Sequence, residues 1–146
     1  MTLSVTSIGD NPQIPGSAAE TYIPDQLIAG DFKLVTDNVI LASGVIYTRG
    51  AIIGVTTSTG LGTISKATAT DGSQNPIGVL ATYTDLTATG PQGVINGNAG
   101  IYLTGEFNQN VIGPLLDSSW TLTTIKPVLR ALSIFLKAAV SASDPT

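Results

Sequence analysis

The stretch TDGSQNP places Asp71, Ser73, Gln74 and Asn75 side by side, and Glu106 follows a glycine in LTGEFN. An acid, a hydroxyl and two amides so close together could ligate a cation or grip a sugar. Glu106, brought near Asp71, Asp85 or Asp117, could supply the two carboxylates, about 5 to 10 Å apart, that glycosidic cleavage needs. The rest of the sequence argues against both. There is no His, so the usual neutral-pH base and the usual zinc sites are missing, and no Cys, so there is no thiolate chemistry. A G-x-S-x-G elbow is lacking, GLG at 60–62 has no third glycine for a dinucleotide loop, and no phosphate-cradling Gly-Lys-Ser/Thr occurs. The 71–75 cluster lacks the alternating oxygens and closing acid of a calcium loop. Sugar platforms are scarce, with aromatic content of 5% and Trp120 alone of its kind.

These residue types are also those that turns favour, because their side chains bond their own backbone. Asp71-Gly72 therefore reads as a turn, with Pro76 fixing the exit into a strand over 77–82. Glu106 reads as structural, bonded to backbone donors or paired with Arg49 or Arg130. No catalytic, metal-ligating or cofactor-binding residue is expected, and the chain is not read as an enzyme.

What must hold such residues in place is a single core. A chain of 146 residues suffices for one domain and is short for two. Hydrophobic residues make up 42%, an ordinary share, but charged residues only 11%, against roughly 25% in typical domains. A surface so poor in charge is covered by Thr, Ser, Asn and Gly or buried against partners. The net charge of -4, with six scattered Lys and Arg, argues against direct nucleic-acid binding, which needs clustered cations. No secretory signal is visible, and no apolar run approaches the ~20 residues of a membrane span. A soluble protein made in the cytoplasm is expected.

Along the chain, residues 1–31 form an extended arm: Pro12, Pro15 and Pro24, with Gly9, Gly16 and Gly30, interrupt any regular element. Ile8, Ile14, Tyr22 and Ile23 are its isolated apolar residues and its candidate docking contacts. Residues 32–138 are a β-rich domain. FKLV, NVILASG, VIYTRG, AIIGVTT, PIGVLATY and GIYLTG are short runs rich in Val, Ile, Tyr and Thr, punctuated by turn residues, as in a small barrel or sandwich. TSTGLGT reads as a turn. Residues 89–100 read as a long loop, with Asn96-Gly97 as a tight hairpin turn. Helical spacing appears once, where Leu122, Ile125, Leu129 and Leu132 share a face. Pro127 implies that this helix starts near Lys126 or bends there. SIFLKAAV resumes a strand, and 139–146 is a polar tail.

Four segments in order, YTRGAIIGV, ATATDGSQNPIGVLATYTD, GIYLTGEFN and LRALSIFLK, resemble the lambda-type bacteriophage head decoration proteins over roughly residues 47–137. In that family an Arg-Gly pair precedes an early core strand, matched by Arg49 and Gly50. An acid-Gly turn, matched by Asp71 and Gly72, leads to a strand carrying Gly78. Gly-Glu-Phe, matched by Gly105, Glu106 and Phe107, closes a later strand. Pro127 within the expected helix, and Ser133 where a turn glycine would be comfortable, depart from the pattern.

The resemblance implies a mainly β fold of the β-clip type with a short C-terminal helix and an N-terminal arm. It further implies a homotrimer on the outer surface of the virion, bound at three-fold positions of the expanded head. Its partner there is the major capsid protein, which it clamps against internal DNA pressure. A tail or fibre module that binds glycans is the alternative, and a carboxylate-dependent glycan hydrolase the enzymatic rival.

Overall fold

The protein is described by a computed structural model covering residues 26–87, 89–90, 93–94 and 96–139. In chain order the elements are β1 (Val35–Leu41), β2 (Ile46–Tyr47), β3 (Ile52–Val55), β4 (Gly62–Ile64), β5 (Pro76–Leu80), β6 (Thr84–Asp85), β7 (Thr89–Gly90), β8 (Gly93–Val94), β9 (Gly97–Asn108), α1 (Gln109–Ile112), a 3-10 turn at Gly113–Leu115, α2 (Leu122–Ala131) and β10 (Ile134–Lys137).

The strands pair in the order β1-β4-β3-β5-β9, and β9 pairs again with β1, so the sheet closes into a small five-stranded barrel. β10 lies outside the closure, parallel to β9, with Ile134 beside Gly105 and Lys137 beside Asn108. β2 with β6, and β7 with β8, form two short ladders. The fold is thus mainly β with two short helices.

Side chains alternate across the barrel wall and build two cores. Ile53, Leu80 and Ile101 point inward and join Val39, Leu41, Tyr47, Ala51 and Ala99. Tyr47 is fully buried there, its hydroxyl donating to the Ala42 carbonyl at 2.8 Å. Their neighbours Ile52 and Val79 point outward and pack with Leu27, Phe107, Ile112, Ile125, Leu129 and Ile134 beneath α2. Trp120 half-covers this second core, and its ring N–H donates to the Ser65 hydroxyl at 3.3 Å. It is a packing residue, not a sugar platform.

Three local readings change. TSTGLGT is a turn only in its first half, since β4 begins at Gly62 and makes the parallel pairing to Leu41 that closes the barrel. Asn96-Gly97 is not a hairpin turn: Gly97 opens β9 and faces Leu41, while the reversal within 89–100 is made between β7 and β8. The C-terminal helix starts at Leu122, not near Lys126. Thr121 caps it, its hydroxyl accepting from the Thr124 N–H, with Thr124 bonding back in a capping box. Pro127 falls inside this helix and is tolerated because it lies on the exposed face, where the carbonyl it leaves unpaired meets water.

Ser133 links α2 to β10 with φ 61, the one positive φ outside glycine among the described residues. A side chain in this region costs about 1 kcal/mol or more, partly offset in glycine by its greater unfolded-state freedom. Ser133→Gly is therefore expected to stabilise the fold by about 0.5 to 1 kcal/mol in urea unfolding. A loss of stability would show that the serine makes an interaction worth more than the strain.

Candidate functional site

The polar cluster is a self-satisfied turn. The Ser73 N–H and hydroxyl donate to Asp71 Oδ1 at 3.0 and 2.6 Å, and the Gly72 N–H donates to Gln74 Oε1 at 2.8 Å. The Thr57 N–H binds the Asp71 carbonyl, and Asn75 closes back on Gly72. Gly72 has φ +104, and a Cβ there would collide with Thr57. Gly54 of β3 permits the close approach, since its own Cβ would strike the Ser73 carbonyl. The shallow polar hollow over this turn holds one carboxylate, Asp71.

The same Asp-x-Ser/Thr arrangement recurs at Asp85 with Thr87 and at Asp117 with Ser119, each carboxylate accepting the backbone N–H and hydroxyl two residues on. Those hydroxyl and amide bonds hold all three carboxyl groups below the usual Asp range. Their stabilisation is present above the unfolded-chain value, about 3.9, and is lost as pH falls through the lowered folded values. The melting temperature is expected to decline below about pH 4, and the triple Asp→Asn variant at these positions to have a flatter acid limb. An unchanged limb would assign the acid sensitivity to other carboxylates.

Glu106 stands elsewhere. Its Oε1 pairs with Lys137 Nζ at 2.7 Å, Glu106 being 17% and Lys137 53% exposed at the side chain. The arginines named from sequence serve differently: Arg49 Nε donates to the Ala81 carbonyl at 2.8 Å, and Arg130 lines the same hollow as Glu106. Because one partner is so exposed, Glu106→Gln is expected to cost no more than about 1 kcal/mol, read from thermal unfolding. A larger loss would mean that the carboxylate anchors the 105–108 segment.

The other family-motif residues are structural. Gly50, at φ +92, donates its N–H to the Leu80 carbonyl just before β3. Gly78 pairs with Ile53 inside the barrel wall. Gly105 opens the stretch of β9 that pairs with β10, and Phe107 is fully buried, its ring 5.5 Å from that of Tyr102. The candidate docking residues Ile8, Ile14, Tyr22 and Ile23 lie outside the described residues, as do residues 140–146.

The structure adds a site that the sequence did not single out. Glu106, Arg130, Lys137, Phe32, Phe135 and Leu136 line a hollow of about 340 Å³ beside β10. Phe32 is 42% exposed and meets Phe135 edge to face, with ring centroids 5.2 Å apart. Leu34 and Val35, next along the chain, are also exposed. β10 ends its sheet with one side unpaired among the described residues. Two of the chain's three phenylalanines stand at this face, which was the available signal. The arrangement offers apolar contact, charge of both signs and backbone hydrogen bonds, the means of binding a polypeptide. Each hollow holds a single carboxylate, and no cluster of three or more acids suited to a metal occurs among the described residues. No described helix is long and apolar enough to cross a membrane.

No curated protein matches the chain. A family model for the bacteriophage lambda head decoration protein D matches residues 19–133, from before the first described residue to the left-handed Ser133. That match spans the whole barrel, both helices and the motif positions above, and on it the chain belongs to the lambda head decoration protein family, structural proteins of the phage capsid.

Proposed function

We propose that the protein binds the outer surface of the expanded phage head as a homotrimer at three-fold positions. There it holds neighbouring copies of the major capsid protein together against internal DNA pressure. The family match over 19–133 carries this reading. The site chemistry agrees with it: exposed apolar residues beside a strand with one side unpaired among the described residues suit protein contact, and the polar turn is occupied by its own hydrogen bonds. The protein acts without catalysis and without touching DNA directly. The arm, with Ile8 and Ile14, makes the capsid contact.

The test is co-sedimentation with expanded, undecorated heads of the cognate phage, followed by heating. Saturable binding at three-fold positions, with heads that survive higher temperature, is the expected result. Absence of binding overturns the proposal, and recognition on a glycan array would then favour the tail or fibre module.

A further inference from the structure

The face around β10 has a ready occupant in the sequence. Residues 1–25 carry Asp10, Glu20 and Asp25 and no Lys or Arg, whereas this face presents Arg130 and Lys137 beside Glu106, with Lys33 next to Phe32. The proline-free run of 1–25 that lies nearest the described residues is 16–23, GSAAETYI, which ends before Pro24. In an extended strand Glu20 and Tyr22 fall on one side, about 6 to 7 Å apart. Phe135 and Lys137 likewise share one side of β10, the side that faces Phe32 and Glu106. A strand added to the free side of β10 would place Tyr22 against the two phenylalanines. Glu20 would then stand near a cation in either direction, since Arg130 precedes β10 and Lys137 ends it. The family match begins at residue 19 and so includes this segment.

The segment cannot come from the same copy. The Asn108 N–H donates to the Leu27 carbonyl, and Ile28 pairs with Phe107 across the side of β9 opposite β10. A strand beyond β10 would lie three strand spacings from Leu27, about 14 Å. The four steps from residue 23 to residue 27 reach at most about 14 Å when fully extended, and they would have to pass through β9 and β10.

We propose that residues 19–23 of one copy add a strand to the free side of β10 of a second copy, with Tyr22 seated in the Phe32–Phe135 hollow. This rests on the self-association proposed above, and it leaves residues 1–18 for the capsid. Main-chain hydrogen bonds supply the pairing, and the aromatic pocket with its flanking cations sets the register.

The experiment uses full-length protein without heads. Tyr22 is replaced by p-benzoylphenylalanine, isotopically heavy and light copies are mixed, and cross-linked peptides are mapped after irradiation. Heavy-to-light links from residue 22 to Phe32 or to residues 134–137 are expected. Links only within one copy, or none to this face, overturn the proposal. In sedimentation equilibrium, Tyr22→Ala is expected to raise the dissociation constant of the assembly by about tenfold or more. Glu20→Arg should weaken association, with Arg130→Glu restoring it where the added strand runs parallel to β10 and Lys137→Glu where it runs antiparallel. Association unchanged in Tyr22→Ala and Glu20→Arg also overturns the proposal. Head binding is scored separately: its loss with the cross-link intact sinks the decoration reading, and the reverse sinks this one.

Discussion

Leu27→Ala is expected to destabilise the protein by about 2 to 5 kcal/mol, a large part of the roughly 5 to 15 kcal/mol that holds a domain together. Leu27 is 1% exposed and sits among Ile52, Val79, Phe107, Ile125 and Leu129 under α2. Its neighbours also complete the sheet: the Ala29 N–H donates to the Glu106 carbonyl at 2.9 Å, and the Asn108 N–H to the Leu27 carbonyl at 2.8 Å. A deletion of residues 1–30 removes the side chain and leaves both Glu106 and Asn108 without those partners. A deletion of 1–25 removes none of this. At low protein concentration, where association adds nothing to apparent stability, the shorter deletion should melt with the full chain. Leu27→Ala should melt on the order of 10 °C lower, and the 1–30 deletion lower still or not fold. If the 1–30 deletion melted with the parent, the second core would not depend on this segment.

That result bears on what the sequence can disclose. The barrel strands were readable because short runs rich in Val, Ile, Tyr and Thr are bounded by turn residues, as in NVILASG and PIGVLATY. Ser133 stood out only against the family pattern, where a turn glycine would be comfortable, and the Asp71 turn was readable from its residue types. β4 was not, because GTI is only three residues long and follows a Gly-rich turn, and it becomes a strand through its pairing with Leu41 and Ile53. Gly97 was hidden for the same reason: Asn-Gly is a turn pair locally, and here the long ladder with β1 overrides it. Leu27 lies between Pro24 and Gly30 in a segment without periodicity, so its place in the core depends on β9, some eighty residues away.

The hollow at β10 shows the same division. Its residues are spread across 32, 106, 130 and 135–137, and no spacing rule links them. Three causes bring them together: the parallel pairing of β10 with β9, the tight turn at Ser133 that returns the chain from α2, and the reach of Phe32 to Phe135. The chemistry there is ordinary for a peptide-binding face. What makes it informative is its position beside a strand with one side unpaired among the described residues, in a protein with so few charged residues.

Removal of residues 1–18 is expected to lower affinity for undecorated heads by roughly 100-fold or more, with the melting temperature unchanged. The segment holds Ile8 and Ile14, and on the proposed reading each arm adds one extended contact to the capsid. A single contact of this kind is weak, because ordering the segment costs about 2 to 5 kcal/mol of the gross interaction energy. Three arms on one trimer act together: once one is seated, the others meet their sites at an effective concentration in the millimolar range. Trimers mixed from full-length and truncated copies test this arithmetic, since head occupancy should fall steeply from three arms to two and again to one. Ile8→Asp with Ile14→Asp should reproduce the truncation without shortening the chain. Equal binding by all mixtures would place attachment in the barrel itself, and a fall in simple proportion to arm number would mean that each arm binds alone.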